Sequence, residues 1–266
     1  MSSDLLAAVV AAARRSAEER ARRADEGALA RLIDARPPDG AGFRASLRAV
    51  GVRIIAECKR RSPSRGVLRP TYDPVAIAES YAGAGAAAIS VLTAPTFFDG
   101  SLDHLRAVRA AVPTPLLCKD FIVTDHQVVE AAAAGADAVL LIVAALDPAS
   151  LTHLLALARS LGLAALVEVH DAREVDGAAD AGADVVGVNS RNLRTLQVDR
   201  AVLDELASAL PAGAVAVAES GLRTSDDLRR LALRRYDAFL IGERFMSEPD
   251  PGAALTHLRA GVEALA

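Results

Sequence analysis

The chain carries lysines and glutamates at the ends of short apolar runs, where proton-transfer groups could face a shared space. "IIAECKRRSPSRG" (54–66) holds Glu57 and Lys59 two residues apart. On an extended backbone both fall on one face, and Cys58 falls on the other. "PLLCKD" (115–120) ends in Lys119, again beside a cysteine of opposite parity, Cys118. Glu168 lies near the end of "AALVEVH" (164–170), Asn189 and Arg191 at the end of "VVGVNS" (185–190), and Glu219 and Ser220 close "VAVAES" (215–220). Charges are seldom placed on a buried face without a partner, so the set reads as one acid/base constellation. Within it, Lys59 and Arg191 are expected to crowd Lys119 and lower its proton affinity, with the glutamates pulling the other way.

A second signal concerns anions. "AESGLRTSDDL" and "LIGERF" follow the last two apolar runs, and Gly221 and Gly242 in them would let backbone N–H groups approach a phosphate closely. Other residues read more plainly. Cys58 and Cys118 are packed thiols, His170 is either a structural loop histidine, the favoured reading, or an aid to the chemistry, and the arginines within 14–23 form a solvated helix face. The "SPSRG" loop is either part of the rim or simply solvated. No His/Cys/Asp group has metal-ligand spacing, and no Walker or G-x-S-x-G stretch occurs, so no metal and no cofactor is expected.

These residues need elements to position them. Eight apolar runs alternate with helix-sized Ala/Leu/Arg segments: 52–59, 87–93, 115–120, 138–143, 164–170, 185–190, 215–220 and 238–242. Continuous apolar strands alternating with helices imply a parallel sheet buried on both faces. Eight such units in 266 residues predict an α/β fold, a single closed (β/α)8 TIM barrel, whose functional groups lie at the C-terminal strand ends. An internal echo agrees. "AGAGAAAISV", "AAGADAVLLI" and "AAGADVVGVN" precede alternate strands at a spacing of about 50 residues, with "RRYDAFLIG" as a degenerate fourth copy. Residues 1–50 read as an N-terminal helical extension capping the barrel, and residues 51–266 as the barrel itself.

Composition narrows the function. Net charge is −4, which argues against nucleic acid or an anionic membrane as partner, and apolar residues make up 52% of the chain. The opening "MSSDLLAAVVAAARR" lacks a basic segment before its apolar stretch and reads as an amphipathic helix instead of a targeting segment. With two cysteines and no run near the roughly 20 apolar residues of a membrane span, a cytoplasmic enzyme is expected.

Taken together, "IIAECKRRSPSRGVL", "LLCKDFIV", "LVEVH", "GVNSRNL", "VAESGL" and "FLIGE" resemble the indole-3-glycerol phosphate synthase family, from about residue 50 to 247. The resemblance implies closure of 1-(2-carboxyphenylamino)-1-deoxyribulose 5-phosphate to indole-3-glycerol phosphate, with loss of carbon dioxide and water. It implies Lys119 as general acid for closure. Lys59 would hold the substrate carboxylate or phosphate, or serve as second acid. Glu57 and Glu168 would supply acid/base and electrostatic function, while Asn189, Arg191 and Glu219 orient the substrate and the lysines. Ser62, Ser220, Gly221, Gly242 and the N–H of Glu243 match substrate or phosphate contacts. Pro63, Phe98, Phe121, Leu140, Ile142, Leu193 and Leu196 would form the apolar slot for the aromatic ring. Two positions depart from the family pattern: Arg61, where a small residue or lysine is common, and Ala94, where an acid is frequent. The extension matches too weakly to carry a contact residue across. The expected partner is a small phosphorylated substrate, and the expected state a monomer, with a weak homodimer as the alternative. The competing readings are another phosphate-binding barrel, such as a phosphoribosylanthranilate isomerase-like enzyme with a cysteine–aspartate pair, and a non-catalytic ligand-binding paralogue.

Overall fold

The computed structural model describes residues 5–263. Three helices come first: α1 (Leu5–Ala21), α2 (Glu26–Ala35) and α3 (Gly40–Arg48). Eight strands follow: β1 (Arg53–Cys58), β2 (Ala88–Leu92), β3 (Leu116–Lys119), β4 (Ala138–Ile142), β5 (Ala164–Val169), β6 (Val185–Asn189), β7 (Val215–Glu219) and β8 (Ala238–Ile241). Each strand pairs in parallel with its sequence neighbours, and β8 closes on β1 through Arg53↔Ala238 and the residues after it. After the strands run α4 (Pro74–Gly83), α5 (Leu102–Ala111), α6 (Asp125–Ala133), α7 (Pro148–Ser160), α8 (Ala172–Asp180), α9 (Ala201–Leu206), α10 (Ser225–Ala232) and α11 (Pro251–Glu263). This is the (β/α)8 barrel expected from the alternation of apolar runs and helical segments.

Strand parity separates two apolar layers. Ile54, Ala56, Cys58, Val91 and Cys118 pack outward against the helices. Ile55, Leu117, Leu140, Leu166 and Val217 fill the interior. The first inward position is alanine on four strands (Ala88, Ala138, Ala164 and Ala238), which leaves room for Phe43 and Leu47 of α3. Those two side chains are fully buried and plug the N-terminal end of the barrel. Each contributes about 1.5–3 kcal/mol by the usual burial estimate. Gly40 permits the approach: a Cβ there would sit 2.2 Å from the backbone nitrogen of Ala164. Buried Asp137 anchors the same segment, accepting from Arg36 (3.1 Å) and from the Asp39 N–H (3.1 Å).

The echo has a structural content. Gly85, Gly135 and Gly182 precede β2, β4 and β6 with φ of 76°, 91° and 75°. Before β8 the corresponding residue is Arg235, held at φ 92° although it has a Cβ. Its guanidinium bonds the carbonyls of Leu210 and Pro211, contacts that offset such strain. Asp137 and Asp237, two residues after Gly135 and Arg235, each accept the N–H that opens or follows the start of the preceding strand, Leu116 and Ala216. Among the described residues, no helix is long and apolar enough to cross a membrane.

Candidate active site

The inward-facing polar groups converge at the C-terminal mouth, around a cavity of about 730 Å³. Lys119, the last residue of β3, reaches across the barrel. Its Nζ lies 2.9 Å from Glu168 Oε2 at the end of β5 and 2.8 Å from Glu219 Oε2 at the end of β7. All three side chains are nearly water-free. Lys59 forms a close ion pair with its strand neighbour Glu57. The two lysines expected from parity are therefore both at the mouth, each held by a carboxylate.

Electrostatics corrects one expectation. Lys119 is not made more acidic by cationic neighbours. Lys59 is taken by Glu57, and Arg191 reaches Glu243 Oε2 at 3.3 Å and the Leu196 carbonyl at 3.1 Å. Burial alone would lower the Lys119 pKa, but Glu168, Glu219 and Glu57 prevail and hold it well above the usual lysine value. The two carboxylates then diverge. Burial works against ionised Glu168, yet Lys119 and His170 hold it firmly as a carboxylate. For Glu219, burial and the nearby charge of Glu168 outweigh Lys119 and push its pKa up to about 7. Two carboxylates sharing one cation in a dry site titrate as a pair, and one of them takes the proton.

Asn189 ends β6 buried, and its Oδ1 accepts the Arg191 N–H at 2.9 Å, which fixes the turn into the next loop. Ser220 and Gly221 follow Glu219 in succession with φ of 65° and 69°, bringing the loop backbone to the rim. Ser62 and Pro63 come from the basic loop after β1, which folds as a small hairpin pairing Arg61–Ser62 with Gly66–Val67. Arg60 and Arg61 both pair with Asp99, and Arg65 pairs with Glu243 at 3.1 Å. Arg61, one of the two departures from the family pattern, is thus part of a loop tether. Gly242 lines the cavity, but its φ is −126°. Its need for glycine is spatial, because a Cβ there would lie 2.3 Å from Glu57 Oε1. The glycine makes room for a carboxylate as well as for any anion.

Pro63, Phe98, Phe121, Leu140, Ile142, Leu193 and Leu196, the apolar residues singled out in the sequence, all line the cavity. The Phe98 and Phe121 rings sit 6.0 Å apart between centroids. Leu140 and Ile142 form the floor, and Leu193 and Leu196 come from the loop after β6. Leu196 holds a left-handed backbone, φ 63°, so that loop is a tight turn.

Three contributions were not legible beforehand. Leu5, Leu6 and Val9 of α1 line the same cavity, so the extension reaches the mouth as well as the base. Gly187 in β6 stands under Glu219: a Cβ there would lie 2.1 Å from Glu219 Oε1. A glycine inside an apolar strand is the signal that could have marked it. His170 places Nε2 3.4 Å from Glu168 Oε1, a contact with the acid/base cluster that no local pattern showed. Cys58 and Cys118 do lie in the outer layer, and burial pushes the Cys118 thiol up to about 12. Among the described residues no group of His, Cys, Asp and Glu could hold a metal ion.

A profile of the indole-3-glycerol phosphate synthase family matches residues 6–258. "Indole-3-glycerol phosphate synthase 2" of Streptomyces coelicolor is 48% identical over 256 residues, covering 96% of this chain and 99% of that one. The indole-3-glycerol phosphate synthase of Laribacter hongkongensis is 51% identical over 227 residues, covering 84% and 85%. Among solved structures, the 3-hexulose-6-phosphate synthase of Salmonella typhimurium superposes with a TM-score of 0.65 at 15% identity, over 80% of this chain and 99% of that one. At that identity the likeness is one of fold alone.

Proposed function

We propose how the mouth divides the chemistry from one premise: the chain belongs to the indole-3-glycerol phosphate synthase family. It is a carboxy-lyase of tryptophan biosynthesis that closes 1-(2-carboxyphenylamino)-1-deoxyribulose 5-phosphate to indole-3-glycerol phosphate, carbon dioxide and water.

The substrate has an anionic end and an aromatic end, and the mouth offers a matching axis. The loops carrying Gly221, Gly242 and the Glu243 N–H take the phosphate, with Ser62 and Ser220 beside them. The slot around Phe98 and Phe121 takes the anthranilate ring. This places the ketone near Lys119. In closure, the ring carbon bearing the carboxylate attacks the ketone carbon, and Lys119 protonates the oxygen as it becomes an alkoxide. The raised affinity of Lys119 for its proton does not prevent this, because an alkoxide is a stronger base than an amine. Glu219, 2.8 Å away and titrating near neutrality, can return a proton to Lys119. Glu168 stays ionised and holds the ammonium in place. Carbon dioxide then leaves, and its electron pair restores the aromatic ring.

Dehydration falls to the other pair. Lys59 protonates the departing hydroxyl, and Glu57, in contact with Lys59, accepts the proton from the carbon next to nitrogen. The single observation that carries this reading is the Glu168–Lys119–Glu219 cluster, buried and facing an open cavity. An isomerase-like reading finds no support, since it needs an inward cysteine and both thiols face the helices. The buried free thiols support a reducing, cytoplasmic setting. The large exposed apolar side chains, Leu32, Val67, Val198 and Leu233 among them, sit on separate elements, which supports a monomer. The test is direct: purified protein with the carboxyphenylamino-deoxyribulose phosphate should generate indole fluorescence and one carbon dioxide per product. Tight binding of that compound without turnover would instead identify a binding paralogue.

A further inference from the structure

His170 lies just beyond β5, two residues after Glu168, and with Glu174 is left unused by the acid/base assignments above, although both join the charged groups of the mouth. Its side chain is largely enclosed. On one side, Glu174 Oε2 receives both the His170 backbone N–H at 2.7 Å and ring Nδ1 at 3.0 Å. Glu174 itself is fixed in the first turn of α8, where its N–H donates to Asp171 at 2.9 Å. On the other side, Nε2 is buried without a hydrogen bond and stands 3.4 Å from Glu168 Oε1. The opposite oxygen of Glu168 holds Lys119 at 2.9 Å. The sequence of contacts is therefore Glu174, His170, Glu168, Lys119, Glu219, alternating in sign from the barrel's outer layer to its axis.

We propose that His170 is a positioning residue: as an imidazolium oriented by Glu174, it keeps Glu168 ionised and turned toward Lys119. A neutral imidazole would leave a buried Nε2 facing a carboxylate with nothing to offer or with one weak bond. A charged one matches both flanking carboxylates. The groups facing Glu168 are Lys119 from β3, Glu219 from β7 and His170, while those facing His170 are Glu168 and Glu174. Burial draws the imidazole pKa down, but the adjacent carboxylates of Glu168 and Glu174 overcome it and raise it to about 10. The inference rests on the placement of Glu168 in the reacting rim.

Two measurements test it. In wild-type protein labelled with nitrogen-15 histidine, the His170 ring should remain doubly protonated at pH 8. It is assigned by replacing the other four histidines one at a time. This readout needs neither turnover nor a His170 variant that folds, so it stands apart from the catalytic reading. Second, the pH profile of kcat is compared for wild type, His170→Gln and Glu174→Gln. Loss of the cation lets Glu168 protonate more easily, so the acidic limb should move to higher pH by about one unit in His170→Gln and by less in Glu174→Gln. On the acidic limb itself that is a fall of up to about tenfold, with kcat at pH 8.5 and KM each held within about twofold. A neutral His170 ring at pH 8 would overturn the proposal. So would a uniform loss of kcat at every pH, which is what a purely packing role would produce.

Discussion

Replacing Lys119 by methionine keeps the length and apolar stem of the side chain and removes its charge and its proton. Two consequences follow from the contacts at 2.9 and 2.8 Å. For catalysis, a positioned general acid is worth about 10²–10⁴-fold, or roughly 2.7–5.5 kcal/mol of barrier at about 1.4 kcal/mol per factor of ten. For stability, Glu168 and Glu219 are left buried without their cation, and the cluster must bind one further proton. Protonating a carboxyl of ordinary pKa, about 4.4, at pH 7 costs about 3.5 kcal/mol, within the roughly 3–5 kcal/mol seen when one partner of a buried pair is removed. The sign is fixed: a carboxyl whose folded pKa is raised stabilises the fold at low pH and loses that contribution as pH rises. The deficit of Lys119→Met should therefore shrink by about 2 kcal/mol between pH 7 and 5.5. The assays are product fluorescence at saturating substrate and urea unfolding at both pH values. A kcat within fivefold of wild type, with only KM raised, would refute the argument; Lys119 would be a binding residue and Lys59 the closure acid. A deficit that did not change with pH would refute the electrostatic half.

Three further outcomes are expected. Gly221→Val forces a β-branched residue to φ 69°, with a Cβ 2.9 Å from Val198, so KM for the phosphorylated substrate should rise strongly and stability fall by about 1–3 kcal/mol; an unchanged KM would move the phosphate elsewhere. Gly187→Ala pushes on Glu219 Oε1 and should lower kcat at least tenfold in wild type but far less in a Glu219→Gln background, and equal losses in both would show that the glycine serves only packing. Because the Glu219 pKa is raised to about 7, wild-type stability should decline between about pH 4.5 and 7, and Glu219→Gln should flatten that decline in urea titrations. Parallel curves for the two proteins would argue against a titrating Glu219.

Period and parity carried most of the fold. Eight apolar runs of strand length, separated by helix-sized segments, leave few topologies besides a closed parallel barrel, and alternation within each run sets which side chains face inward. That is why Glu57, Lys59, Lys119, Glu168, Asn189 and Glu219 could be placed on one rim from the sequence alone, with Cys58 and Cys118 on the other layer. The resemblance of "IIAECKRRSPSRGVL" and its companions to one family supplied the reaction, because those motifs pair residue types with fixed places on the rim.

Partners across the barrel were beyond the reach of any local pattern. Lys119 and Glu219 are 100 residues apart, and only closure of the sheet sets them 2.8 Å from one another. With that distance unknown, the sign of the Lys119 shift could not be judged, since pKa depends on which charges lie nearest in a dry space. The same reason hid the roles of Gly187 and Gly242: each is explained by a carboxylate from another strand. It also hid α1 and α3, whose apolar faces show an amphipathic pattern but not that one meets the mouth and the other plugs the base. Periodicity along the chain determines which face of each element is buried, whereas what that face touches, and therefore its chemistry, is decided only when the barrel closes.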